Sequence, residues 1–315
     1  MKTLHDIVDP WLMDSDADDL IKLRDQLLWL RQHHFDVYEP DSMRDFDDRL
    51  VDWLLNVDDE RDRRAMFGLL AHLFFVAKPQ FLALCRSTFH DSVVRWLIDL
   101  EGIPVVAPDI GARLDAATRT TWFCPVTDSM NVNSFLKVNK IVGNDVRGDW
   151  RSYELVGDPE RLREHVAEQG IKRIVLLEDF VGSGDQMSTS VIWARRTLPD
   201  IPILLAPLIC CPDGVERGRR LSETRDITFA PTLELREELF LLPDPTPGEP
   251  AVFAEVRALT HRLADRLGDW EEEPFGHSST GAILATFANC PDNTLAIVHE
   301  QNASWKPLFP RIRRE

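Results

Sequence analysis

No apolar run in this chain reaches the length of a membrane span. The longest, Met66 to Ala77, is interrupted by His72 and falls short of the ~20 residues that cross a bilayer, so no spanning helix is expected. Cysteine is scarce as well. Cys85, Cys124, Cys210, Cys211 and Cys290 are scattered and form no C-x-x-C pair, which argues against a disulfide framework and a structural zinc site and fits a reducing compartment. The opening MKTLHDIVDP lacks the basic and apolar regions of a signal peptide, and a cytoplasmic location is the expectation. The nine histidines form no H-E-x-x-H spacing, no G-x-S-x-G elbow occurs, and no Gly-Lys-Ser/Thr ending marks a P-loop. There is no internal repeat and no low-complexity tract.

Positive charge is the minority sign. In 315 residues, 36 Lys and Arg face 53 Asp and Glu, a formal net charge of −17. Residues 1–60 carry −11 of it, with fifteen Asp and two Glu against two Lys and four Arg. Such a surface repels a phosphodiester backbone, so nucleic-acid binding is not expected. The helical N-terminal domain that carries this charge, residues 1–102, reads as a cap or as a docking face for a protein partner.

What is present is the composition of an ordered protein: 44% hydrophobic, 28% charged, nine Trp and sixteen Phe. At ~150 residues per domain the length suggests about two domains. Leu20, Leu23, Leu27 and Leu30 recur at helical spacing, Phe46, Leu50, Trp53 and Leu54 form a second stripe, and Met66 through Val76 is nearly all apolar. Pro79 can open a further helix, and Gly102 and Pro104 close the run. No strand is expected here, so residues 1–102 read as an all-α N-terminal domain. From residue 103 to 315 short apolar runs alternate with helices. The strands expected are Thr121–Val126, Ile174–Leu177, Ile203–Ile209, Ile227–Ala230, Ala282–Phe287 and Leu295–Val298; the helices are Pro159–Gln169, Gln186–Thr197 and Ala251–Leu267. That alternation predicts an α/β domain with a mostly parallel sheet.

The chemistry is concentrated in Ile174-Val175-Leu176-Leu177-Glu178-Asp179-Phe180-Val181-Gly182-Ser183-Gly184-Asp185-Gln186. Four apolar residues predict a buried strand, two acids stand at its carboxyl end, and a Gly-Ser-Gly turn leads into a helix. Ligands of open α/β sheets bind beyond the carboxyl ends of the strands. A small-residue turn at a helix start points backbone N–H groups at an anion. Carboxylates beside it accept hydrogen bonds from paired hydroxyls or hold water around Mg2+. Together these suit a ribose 5-phosphate; the plain alternative is a tight βα turn with a solvated acid pair.

This segment resembles the PRPP-binding motif of type I phosphoribosyltransferases, in which an apolar strand, two acids and two variable residues precede a small Thr/Gly-rich loop. The resemblance implies a Rossmann-like, mostly parallel sheet, PRPP or a related nucleotide as ligand, Mg2+ as the accompanying ion, and glycosyltransferase-type chemistry at an N-glycosidic bond. It makes Glu178 and Asp179 the catalytic pair, holding the ribose hydroxyls and, indirectly, Mg2+. It assigns Gly182, Ser183, Gly184, Asp185 and Gln186 to the 5-phosphate. A dinucleotide fingerprint would place its glycines before any acid, the reverse of the order here.

Two positions depart from the family pattern. Ser183 stands where Thr is usual, and Asp185-Gln186 where a small residue and then Thr or Ser are usual. At ~5 Å and an effective dielectric near 20, each phosphate charge would repel Asp185 by about 3 kcal/mol. A helix N-terminus returns only ~0.3–2 kcal/mol. Either Asp185 turns away from the phosphate, or it caps the helix and takes the phosphate's place.

Upstream, Phe123-Cys124-Pro125-Val126-Thr127-Asp128-Ser129 reads as a strand ending in small polar residues. The resemblance makes Thr127, Asp128 and Ser129 the pyrophosphate loop, here without the family's glycine and basic residue. Lys137, Lys140 and Arg147, with Gly143 and Gly148 as hinges, fall where the family has a mobile catalytic loop; solvated bases on a helix and loop are the alternative. The ending, Asn289-Cys290-Pro291-Asp292-Asn293-Thr294 followed by Trp305-Lys306-Pro307-Leu308-Phe309-Pro310-Arg311, resembles phosphoribosyltransferase-like proteins of bacterial conflict (anti-phage) systems. That likeness implies an effector acting on nucleotides in phage defence. Asn289, Asp292 and Asn293 either stand near a base or ribose or form Asx turns. His277 and His299 are either a proton carrier or structural.

Two function classes remain in play. In one, PRPP or a related nucleotide is bound and turned over at C1′. In the other, the fold is a catalytically inactive nucleotide-sensing or protein-interaction module, favoured by the missing upstream glycine and base and by Asp185. Hydrolysis of an N-glycosidic bond by the same acid pair is a third.

Overall fold

Short apolar runs become strands here where a following helix returns the chain to the same sheet, and two of the exceptions are informative. The computed structural model describes residues 2–13, 17–35, 37–143, 148–267, 270 and 273–312. Its strands are β1 Phe74–Val76, β2 Thr121–Pro125, β3 Arg173–Val181, β4 Ile203–Cys210, β5 Thr228–Phe229, β6 Leu233–Glu234 and β7 Leu284–Thr286. The chain forms two compact units, residues 1–78 with 237–315, and residues 79–236.

Residues 79–236 hold a parallel sheet in the order β2-β3-β4-β5, with β6 pairing a later stretch of β4. Ile174, Val175, Leu176 and Leu177 of β3 and Leu204, Leu205 and Ala206 of β4 are completely buried. A strand covered on both faces has no reason to alternate polar and apolar residues, hence the unbroken runs. The connections are helices Pro159–Glu168, Asp185–Thr197 and Pro212–Arg225. The first is started by Asp158, whose side chain accepts from the Glu160 and Arg161 amides, with Pro159 at the first helical position. Trp122 of β2 meets Trp150 edge-on at 5.5 Å, and Trp150 meets Trp193 at 5.0 Å.

Residues 1–78 and 237–315 build the other unit around helices Ala17–Leu30, Phe46–Leu54, Glu60–Leu69 and Ala251–Leu267. β1 lies parallel to β7, with Phe74 opposite Leu284 and Val76 opposite Thr286. Phe309 packs against Phe35, Tyr38, Phe46 and Phe75, with ring centroids 5.1–6.2 Å apart. Buried polar groups tie the early helices to the end of the chain. The Tyr38 hydroxyl donates to the Pro310 carbonyl at 2.7 Å, and Arg49 Nε donates to the Leu308 carbonyl at 3.1 Å. The indoles of Trp53 and Trp305 both donate to the Ile297 carbonyl, at 2.6 and 3.1 Å.

These contacts explain where the structure departs from the pattern read along the chain. The division at residues 102/103 is not the boundary between the compact units. Residues 1–78 complete their core with the last part of the chain, and residues 79–102 pack with the parallel sheet. β1 was not expected, because a three-residue strand whose partner lies some two hundred residues away carries no local signal. Leu295–Val298, expected as a strand, instead leads into the four-residue helix Ala296–His299. Its four side chains are all buried, so no polar face betrays the period. The expected strands Ile227–Ala230 and Ala282–Phe287 contract to β5 and β7. The mostly parallel α/β class and the helical N-terminal region hold. No helix among the described residues is long and apolar enough to cross a membrane.

Candidate functional site

The β2–β3 ladder positions the acid pair. Pro125 pairs with Leu177, and the Val126 amide continues the register by donating to the Leu177 carbonyl at 2.8 Å. One residue further, Thr127 arrives beside Glu178. Its amide donates to Glu178 Oε2 at 2.9 Å and its hydroxyl to Oε1 at 2.5 Å. Ser129 Oγ lies 2.7 Å from Asp179 Oδ1, 3.3 Å from Glu178 Oε1 and 2.8 Å from Thr127 Oγ1. The Phe180 amide also donates to Asp179 Oδ1, at 2.9 Å. Thr127 and Ser129, expected to cradle pyrophosphate, are thus brought onto the two carboxylates, while Asp128 is exposed. Arg151 Nη1 donates to the Val126 carbonyl at 2.8 Å and steadies the end of β2.

Glu178 is only 4% exposed, whereas Asp179 is half-buried. Burial, and then the Asp179 charge, push the Glu178 carboxyl well above its ordinary value of 4.5, against the opposing pull of the Thr127 hydrogen bonds. Burial raises Asp179 too, with Ser129 and the Phe180 amide working against it. An acid raised on folding binds more protons folded than unfolded, so stability falls as pH climbs from about 4.5 toward the folded value. Glu178→Gln is expected to flatten that decline. Unfolding midpoints of the two proteins compared from pH 4.5 to 8 check this, and identical slopes would refute it.

The turn after β3 ends at Gly184, whose φ of +82° is left-handed and favours glycine. Gly184 is the helix N-cap, with no side-chain cap, and helix Asp185–Thr197 follows. Gly182 and Gly184 are buried, Ser183 is half-buried, and Asp185 and Gln186 are exposed. Asp185 does not cap the helix. Its carboxylate accepts from Ser183 Oγ at 3.0 Å and pairs with Arg217 Nη2 at 3.1 Å, which answers the question its charge raised. The pair is exposed and worth no more than about 1 kcal/mol, so a ligand can rearrange it.

Arg217 reaches the turn because its helix, Pro212–Arg225, lies unusually close to the sheet. A Cβ on Gly214 would fall 2.7 Å from Val181 Cγ1 and 2.8 Å from the Gly182 carbonyl oxygen. One on Gly218 would fall 2.3 Å from the Phe229 ring. Arg217 was not anticipated: it sits among Arg219, Arg220 and Arg225 on a polar helix. The spacing of Gly214 and Gly218, one helical turn apart, was the available signal of a close-packed face.

The other expected residues are less concentrated. Lys137 lies in helix Val132–Val138 and Lys140 just after it, Gly143 has a φ of +84°, and Arg147 lies outside the described residues. Gly148 donates its amide to His165 Nε2 at 3.1 Å. Asn289 and Asn293 belong to the other unit and spend their amides structurally. Asn289 Nδ2 donates to the Ile312 carbonyl, and Asn293 Nδ2 to Thr280 Oγ1 and the His277 carbonyl. His277 is exposed and His299 is buried. All five cysteines are free and buried, and burial pushes the Cys85, Cys210 and Cys290 thiols up to about 12, which removes them as nucleophiles at neutral pH.

Comparison with curated proteins finds no match, and comparison with solved structures finds none either. The family model PRTase-CE matches residues 50–311. That span takes in the whole parallel sheet, the Glu178–Asp179 strand end and most of the C-terminal segment. The chain therefore belongs to PRTase-CE, a phosphoribosyltransferase-like family.

Proposed function

We propose that residues 79–236 bind a 5-phosphoribosyl ligand, PRPP or a related nucleotide, at the carboxyl ends of β2 and β3. The observation that carries this reading is the Ser129 hydroxyl on Asp179 at 2.7 Å, beside a helix start without a side-chain cap. A ribose hydroxyl makes the same O–H to carboxylate bond, and half-buried Asp179 is the acid a ligand can reach. Glu178, held on both oxygens by Thr127 and Ser129, positions the loop. The first-turn N–H groups, which have no intrahelical partner, receive the phosphate, with Arg217 offsetting Asp185. Among the described residues no group of three His, Cys, Asp or Glu can enclose a metal. Mg2+ would be held by Asp179 through water together with ligand phosphate oxygens, the way this ion is usually bound, and would neutralise charge on the departing pyrophosphate. In turnover the C1′–O bond breaks, its electron pair leaves with pyrophosphate, and an acceptor nitrogen bonds C1′; the residues contribute positioning and charge stabilisation.

A second reading, a sensor that binds without turnover, is favoured by the use of both Glu178 oxygens inside the loop. Calorimetric titration with PRPP and Mg2+ tests binding, and pyrophosphate release separates the two readings. Asp179→Asn is expected to weaken binding at least ~10-fold, as loss of a charged acceptor should. Arg217→Gln should weaken it and Asp185→Ala strengthen it. Absence of binding by both wild type and Asp185→Ala would remove the phosphoribosyl ligand. The defence role and the cytoplasmic setting accompany the first reading, and a protein partner on the acidic helical N-terminal region, residues 1–102, accompanies the second. Loss of phage restriction by Asp179→Asn at wild-type protein level is the corresponding phenotype.

A further inference from the structure

A second cluster of polar groups, in the unit of residues 1–78 and 237–315, is unrelated to the acid pair. His299, Gln301, Asn302 and Arg311 line an open cleft of about 500 Å³. Three donor nitrogens on two of these residues, Arg311 Nε, Arg311 Nη1 and Asn302 Nδ2, are buried and have no hydrogen-bond partner among the described residues. Buried donors without acceptors are rare in native proteins and call for an explanation.

The neighbouring bonds leave little freedom to relieve them. Asn302 Oδ1 accepts from the Ser304 amide at 2.8 Å, which fixes the amide so that Nδ2 cannot exchange places with the oxygen. Among the described residues the Arg311 guanidinium makes one ion pair, Nη2 to Asp292 Oδ2 at 3.3 Å. His299 Nε2 faces the Thr294 carbonyl at 3.0 Å; a carbonyl only accepts, so Nε2 carries the proton and the neutral ring adds no charge. Burial, with Arg311 next, lowers His299 to about 4 and keeps it neutral at physiological pH.

We infer that this cleft is a binding site for the oxyanion group, phosphate or carboxylate, of a small polar molecule. Such a group is an acceptor with several oxygens, which matches donors supplied by a guanidinium and a fixed amide. The volume lies within the ~300–1,000 Å³ of small-ligand sites and exceeds what a lone anion fills. The inference is independent of the phosphoribosyl reading, since no residue is shared.

Calorimetry with AMP, adenosine, inorganic phosphate and glutamate tests it on the full chain. AMP or phosphate binding without adenosine binding identifies phosphate as the recognised group; glutamate binding identifies carboxylate. Arg311→Gln is expected to weaken that binding at least ~10-fold. Asn302→Asp, which replaces a donor by a negative acceptor on a half-buried turn, should do the same and decides the matter if Arg311→Gln fails to fold. Asp179→Asn and Arg217→Gln should leave this site intact, so a probe that also occupies the acid-pair site loses one site in each pair of variants. The inference is overturned if neither AMP, phosphate nor glutamate binds. It is equally overturned if binding is unchanged in both Arg311→Gln and Asn302→Asp.

Discussion

Phe309→Ala is expected to lower the unfolding free energy of the unit formed by residues 1–78 and 237–315 by about 3–5 kcal/mol. The ring is completely buried and meets four others, Phe35, Tyr38, Phe46 and Phe75. The Arg49 guanidinium carbon also lies 5.8 Å from its centroid. Truncation removes the transfer energy of the ring and leaves a cavity that rigid aromatic neighbours cannot close. Those neighbours come from three separated stretches of chain, so the loss is felt by the whole core. Denaturant unfolding of wild type and variant measures it, and a loss below about 1.5 kcal/mol, the size of a conservative core swap, would show that the ring is not central.

The second large effect is a loss of stability on acidification through His299. Its imidazole is 2% exposed and lowered from 6.5 to about 4, by burial first and by the Arg311 charge second, with Asp292 pulling the other way. Between those values the unfolded chain binds a proton that the folded one refuses, so stability rises with pH across the window. The contribution is complete above about pH 6.5 and lost as pH falls to about 4. At about 1.4 kcal/mol per unit, this amounts to about 3 kcal/mol. His299→Gln should remove it, so wild type should lose about 3 kcal/mol more than the variant between pH 7 and 4. The comparison cancels the opposing trend from Glu178, which both proteins share.

What could be read along the chain was whatever is local. β3, its two acids and the glycine turn stand in thirteen consecutive residues; the turn and helix fall there as expected, while the strand expected over Ile174–Leu177 runs on through both acids to Val181 because β4 continues to pair with it. Thr127 and Ser129 were also picked out, but not their partners. They meet Glu178 and Asp179 across about fifty residues, through strand register that no local pattern encodes. Asp185 was legible as a difficulty and Arg217 was not legible as its resolution, because an arginine on a polar helix carries no signal of where it points. Helix Ala296–His299 and strand β1 were missed for a common reason. Both are very short, and a mainly apolar run of three or four residues looks the same in either conformation. The cleft around Arg311 draws its residues from the last position of a four-residue helix and from irregular segments, where side-chain direction follows no readable period.

One unit is assembled from both ends of the chain, with residues 79–236 intervening. During synthesis the first 78 residues leave the ribosome without Phe309, Trp305 or the Ile297 carbonyl that their side chains require. At ~5–20 residues per second, the intervening segment takes roughly 10–30 s to make. The parallel sheet, being continuous in sequence, is free to form in that interval, while amphipathic helices such as Phe46–Leu54 wait with their inner faces uncovered. This order of events makes the nascent N-terminal region a natural client for a chaperone, and a chain ended before residue 297 would lack both the carbonyl that Trp53 bonds and the ring that Phe46 packs against.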